Sequence, residues 1–215
     1  MNVQNYQTFI FDCDGVILNS NKVKTQAFYK TALPYGEQAA QSLVDYHVKN
    51  GGISRYKKFE LFLNEIVPPS KNGLSLNELL TTYAREVRQG LLACEVAEGL
   101  TELRQKTTHT KWLIVSGGDQ NELRDIFTQR DSAQLFDGGI FGSPDPKEKI
   151  LSRELANGNI QQPAVFFGDS KYDYQAAQAV GLDFIFLSEW SEVKDWQKFC
   201  RERDIPHFES LSSIR

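Results

Sequence analysis

Three places in the chain join a short apolar run to polar residues able to do chemistry. Phe9-Ile10-Phe11 runs into Asp12-Cys13-Asp14-Gly15, and Trp112 to Val115 runs into Ser116-Gly117-Gly118. Ala164 to Phe167 runs through Gly168 into Asp169-Ser170, with Asp173 close behind. A carboxylate at a strand tip can act as a nucleophile and be released again by water, dividing one difficult step into two. Asp12 is the candidate for that role. Asp14 falls on the same side if the extended period persists, and it can serve as general acid and then general base. Ser116, with the backbone N–H groups of Gly117 and Gly118, suits an anion cradle ahead of a helix. Carboxylates gathered at one sheet edge repel each other unless a cation joins them, and an all-oxygen set suits magnesium. An Asp-Gly turn, a tight Ser-Gly-Gly loop or a helix cap at Ser170 or Asp173 would each explain one of these sites. None of them explains all three strand ends.

The elements that must position these residues follow from periodicity. Phe9–Phe11, 112–115, 164–167 and 184–187 are continuous runs rich in Phe, Ile and Val, as in strands buried on both faces of a parallel sheet. Between the last three, helical spacing recurs. Asp119-Gln-Asn-Glu122 has the form of a capping box before Leu123, Ile126 and Phe127. Pro146 can open a helix carrying Ile150, Leu151 and Leu155, and an alanine-rich helix from about Tyr172 to Val180 is closed by Gly181. This alternation predicts an α/β fold, an open parallel sheet with helices on both faces. In such sheets ligands bind outside the carboxyl ends of the strands, where all three polar clusters lie.

The first strand breaks the rhythm, because roughly eighty residues follow it without a convincing strand, too many for one crossover. Ser20 is placed to cap a helix with Val23, Ala27 and Phe28, and another helix spans Glu37 to Lys49. Ser54 precedes Phe59, Phe62, Leu63 and Ile66, a stripe stopped by Pro68-Pro69. Ser75-Leu-Asn-Glu78 is a capping box ahead of Leu79, Leu80, Tyr83 and Val87. The expected organisation is an α/β core over 1–17 and 93–215, with an all-helical domain over 18–92 inserted after the first strand.

Composition narrows the class. The 215 residues, 40% hydrophobic, are enough for a full core, and the net charge of -4 comes without a basic block, so nucleic acid is not an expected partner. Three scattered cysteines form neither a disulfide framework nor a zinc pattern. Met1 to Tyr6 lacks the apolar segment of a signal peptide, and no apolar run reaches membrane-spanning length. The expectation is a cytoplasmic protein, monomeric or a weak dimer, with no membrane partner.

Asp12-x-Asp14-Gly15-Val16, then Ser116, a lysine within 147–149, and Gly168-Asp169-Ser170-x-x-Asp173 resemble the four ordered motifs of the haloacid dehalogenase superfamily. The likeness covers nearly the whole core, and the insert looks like that superfamily's helical cap on a Rossmann-like fold. It implies a phosphatase acting on a small-molecule phosphate ester, with Asp12 as nucleophile and Asp14 as acid/base. It implies Mg2+ held by Asp12, the backbone carbonyl of Asp14, and Asp169, with Asp173 as ligand or supporting partner. It also implies a lysine near the phosphate. Lys147, following the loop directly, is preferred over Lys149, although Pro146 precedes it where the family often has a proline after the lysine. Gly51-Gly52-Ile53-Ser54-Arg55 resembles the cap loop of the β-phosphoglucomutase-like branch, where the arginine reaches the substrate's distal anion. Arg55 is otherwise an exposed residue at a helix start, and His47 and Lys49 can line the same face. A phosphomutase and a catalytically silent phospho-ligand-binding module are the competing readings.

Overall fold

The computed structural model describes residues 5–68 and 72–214. Within it are six parallel strands, β1 (Thr8–Phe11), β2 (Lys111–Asp119), β3 (Gly139–Ser143), β4 (Ala164–Gly168), β5 (Asp183–Leu187) and β6 (His207–Phe208), and the four apolar runs supply β1, β2, β4 and β5. They form one sheet in the order β3-β2-β1-β4-β5-β6. β1 lies at the centre, with Phe9 opposite Trp112 on one side and Val165 on the other. Period-2 alternation divides the burial between the faces. Phe9, Phe11, Trp112 and Phe167 pack in one cluster, while Ile10, Leu113, Phe166 and Phe186 pack in the other.

Between β1 and β2 the described chain is helical: α1 (Asn21–Ala32), α2 (Glu37–Lys49), α3 (Arg55–Leu61), running on as a π-turn over Phe62–Ile66, α4 (Leu76–Ala93) and α5 (Leu100–Lys106). The aromatic faces of α1, α3 and α4 meet at Phe28, Phe59 and Tyr83. α6 (Gln120–Gln129), α7 (Lys147–Ala156), α8 (Lys171–Ala179) and α9 (Trp196–Glu202) complete the layers around the sheet. Among the described residues no helix is long and apolar enough to cross a membrane.

Three local expectations are corrected, and two strands, β3 and β6, join the sheet with no expectation behind them. β3 has no clear signal, since Gly139-Ile-Phe-Gly-Ser carries two glycines and only two large apolar residues. β2 runs on through Ser116-Gly-Gly to Asp119, with a register shift after Val115, rather than ending at Val115. Ser20 stands at the start of α1 but makes no side-chain cap, because its hydroxyl is turned to Asp14. Asp119 accepts from the Glu122 N–H, but the Glu122 carboxylate binds Arg55 instead of closing the box. The box at Ser75 and Glu78 is complete. Pro69 and Met1–Gln4, which carried the helix stop and part of the polar N-terminus, lie outside the described residues.

Candidate active site

β1 and β4 lie side by side where the strand order reverses, and their C-terminal ends bring Asp12 and Asp169 together. The Asp12 N–H donates to the Phe167 carbonyl at 2.9 Å, which continues the sheet ladder one residue and anchors the carboxylate. Asp12 Oδ1 accepts from the Cys13 N–H at 2.7 Å and lies 2.8 Å from Lys147 Nζ. Its Oδ2 has no hydrogen-bond partner among the described residues. Lys147 opens α7, is 1% exposed, and also donates to Asp173 Oδ1 at 2.5 Å. Asp173 does two jobs. Its Oδ2 accepts from the Ser170 N–H and hydroxyl to close the capping box of α8, while Oδ1 holds the lysine.

Asp169 Oδ2 accepts from Asn21 Nδ2 at 2.9 Å, and the same amide donates to the Trp190 carbonyl. Gly15, at φ +74°, passes so close that a Cβ there would collide with the Asp169 carboxylate. One oxygen each from Asp12, Asp169 and Asp173 lies within 4.8 Å of the others. Burial pushes Asp12 up to about 7, with Asp173 and Asp14 adding to the rise and Lys147 opposing it. Burial, then Asp173 and Asp12, drives Asp169 well above the carboxylate range. Burial would strip the proton from Lys147, but Asp12 and Asp173 more than offset it and keep the ammonium charged. Once ionised, three buried carboxylates against one ammonium carry an excess of negative charge, and their hard oxygen donors fit magnesium.

Asp14 is held differently. It pairs with Lys24 from α1 and accepts from Ser20 Oγ at 2.6 Å. Burial alone would raise its pKa; Lys24 and Ser20 outweigh that and bring it below the usual value, so the carboxylate stays ionised.

Ser116 is fully buried, and its Oγ accepts from the Gly118 N–H at 3.0 Å, so that N–H is already used inside the loop. Gly117 has no room for a side chain, because a Cβ would strike the Gly52 carbonyl in the loop between α2 and α3. Gly117 and Gly118 line a cavity of about 750 Å³ between the strand ends and helices α1–α3, with Asp12, Asp14 and Asp169 on its wall.

A family model for haloacid dehalogenase-like hydrolases matches residues 6–181. The chain belongs to that family. This haloacid dehalogenase-like hydrolase is 23% identical over 193 residues to the phosphorylated carbohydrates phosphatase of Thermotoga maritima, with 84% of each chain covered. Among solved structures it is similar to β-phosphoglucomutase from Clostridium difficile, at a TM-score of 0.75 and 15% identity, covering 98% of this chain and 93% of that one. A predicted phosphoglycolate phosphatase from Haemophilus somnus matches at a TM-score of 0.74 and 14% identity, covering 99% and 97%. At these identities the structural matches show the shared fold.

Within the hydrolase, Lys147 is bonded to Asp12 and Asp173, Asp169 lies within 4.8 Å of those two carboxylates, and Asp14, Gly117 and Gly118 face the cavity. Lys149 lies apart, largely exposed and paired with Asp145. Arg55 lines the cavity, but both arms of its guanidinium are bound to Glu122 and it stacks 4.6 Å from the Tyr83 ring centroid. Ser20, Asn21, Lys24 and Lys58 were not singled out from the sequence as site residues. A lysine at 24 among the buried positions of α1 was a signal, since an unpaired ammonium is rarely buried.

Proposed function

We propose that this hydrolase is a magnesium-dependent phosphatase of small phosphomonoesters that works through a phosphoryl-enzyme on Asp12. One observation carries the reading: at the cavity wall, one Asp12 oxygen is held by Lys147 and the Cys13 N–H while the other is left without a hydrogen bond. Oδ2 is then free to attack phosphorus as the bond to the leaving oxygen breaks. Asp14 gives that oxygen its proton, then takes one from the water that cleaves the Asp12–phosphorus bond and releases inorganic phosphate. Since Lys24 and Ser20 keep Asp14 ionised, its contact with Lys24 must loosen and it must take a proton from solvent before it can act as an acid. Lys147 carries positive charge beside the phosphoryl group, and Ser116 with Gly117 and Gly118 forms the loop on which that group rests. Magnesium, held by Asp12, the Asp14 carbonyl and Asp169 with Asp173 in support, would neutralise the combined charge of carboxylate and phosphate.

In this reading residues 18–92 are a cap over a core of 1–17 and 93–215. The name of the Thermotoga relative supports a phosphorylated carbohydrate or a similar small molecule as substrate. Phosphate release from p-nitrophenyl phosphate and a panel of sugar phosphates tests the proposal, with wild type and Asp12→Asn compared in magnesium and in EDTA. Release is expected only from wild type with magnesium. Equal activity in Asp12→Asn would sink the mechanism. The tight contact of Gly52 on Gly117 favours one competing reading, a phosphomutase whose closed cap excludes water, which would yield an isomerised phosphate ester without free phosphate.

A further inference from the structure

The cavity wall carries six cationic side chains, and three already have partners. Lys24 is paired with Asp14, Arg55 with Glu122, and Lys171 with Asp195 at 2.8 Å. Lys49 and Lys194 are exposed to solvent. Lys58, on α3, differs from all of them. It lines the cavity yet is 1% exposed, and it makes no ion pair among the described residues. Its ammonium lies 2.7 Å from His47 Nδ1 of α2, above the Phe28 ring. A buried ammonium without a counter-charge is costly unless it loses its proton or meets an anion.

His47 supplies a second, independent observation. It also lines the cavity, is 8% exposed, and its Nε2 is buried without a hydrogen-bond partner. When the Lys58 ammonium donates to Nδ1, the ring proton resides on Nε2, so the pair offers N–H donors and no acceptor. Such a set fits an anion. We propose that Lys58 and His47 form a subsite for a second anionic group on the substrate, a carboxylate or a second phosphate, in addition to the phosphoryl group at Asp12. This rests on the phosphatase reading and narrows its substrate class to phosphomonoesters with a charged tail.

The electrostatics agree. Burial, then repulsion from Lys24, lowers Lys58 to about 7; Asp14 and Glu192 pull the other way, and Lys147 adds repulsion. Burial, then Lys58 and Lys24, holds His47 well below its ordinary value, so it stays neutral. The free enzyme therefore loses the Lys58 charge as pH rises through about 7.

Two matched pairs of esters test the subsite: 3-phosphoglycerate against glycerol 3-phosphate, and fructose 1,6-bisphosphate against fructose 6-phosphate. Wild type should prefer the charged-tail member in kcat/KM by about ten- to a hundred-fold, the size of one charge-assisted hydrogen bond. The pair that shows the preference identifies carboxylate or phosphate as the anion. Lys58→Met should bring the ratio near one, and Lys58→Arg should restore part of it. Should Lys58→Met fail to fold, the wild-type ratio is followed between pH 6.5 and 8.5, where it should fall as Lys58 deprotonates. The glycerate pair serves for this arm, since its reacting phosphate is common to both members and its carboxylate stays ionised, so neither titrates in the ratio. No preference in either pair, a preference that survives Lys58→Met, or a ratio flat across this pH range overturns the subsite. Phosphate release from none of the four esters overturns the phosphatase reading itself, and the subsite with it.

Discussion

Lys147 touches Asp12 and Asp173 at once, so its removal would strand two buried carboxylates. Lys147→Met should cost about 3–5 kcal/mol of folding stability in EDTA, the usual loss when one partner of a buried ion pair is deleted. Asp12, already pushed upward by burial, can escape part of that cost by taking a proton. The loss should therefore be smaller at pH 5 than at pH 8, as read from urea unfolding at both. An equal loss at the two pH values would mean that the lysine acts through packing and not through charge. At this scale the sequence is legible where chemistry and spacing coincide: Asp12, Asp169 and Asp173 announce themselves by their place after apolar runs. Lys58 does not, because a lysine one turn into an amphipathic helix looks like any solvated charge until its surroundings are known.

At the scale of elements, two serines that look alike in sequence do different work. Ser75 closes a full capping box on α4, whereas the Ser20 hydroxyl serves Asp14 and leaves α1 uncapped by its side chain. Ser75→Ala should lower stability by about 1 kcal/mol and leave kcat unaltered. Ser20→Ala should lower kcat without loss of far-ultraviolet helicity, because it frees the Asp14 carboxylate from one of its two anchors. A drop in helicity with unaltered kcat would reverse that assignment. Helices and central strands were readable because their signals are local, a 3.6-residue stripe or a buried run. β3 was not, since its two glycines remove the apolar pattern, and only pairing with β2 makes it a strand.

For the whole molecule, the acidic cluster links metal, pH and stability. Asp12 binds a proton in the folded chain up to about pH 7, while in the unfolded chain it ionises near its ordinary 3.8. At this residue the folded state thus holds the proton between these values, and the Asp12 contribution to metal-free stability falls as pH rises from about 4 to about 7. Magnesium binding to the ionised cluster should oppose this fall, because it stabilises only the folded state. The rise in Tm on replacing EDTA with magnesium should be small at pH 5 and larger at pH 7.5. A gain of the same size at both would place the metal away from these carboxylates.

The sequence alone determined the α/β class, the four ordered motifs and the helical stretch after the first strand, because each is written in neighbouring residues. Tertiary structure alone decided which charges meet. Lys147 reaches Asp12 across the sheet, Asp173 both caps α8 and grips that lysine, and Glu122 on α6 takes Arg55. These partners lie on separate elements, and an ion pair depends on where the packed helices place two side chains. The same packing leaves Lys58 and His47 at the cavity with donors unspent, and no local pattern in the chain could have shown it.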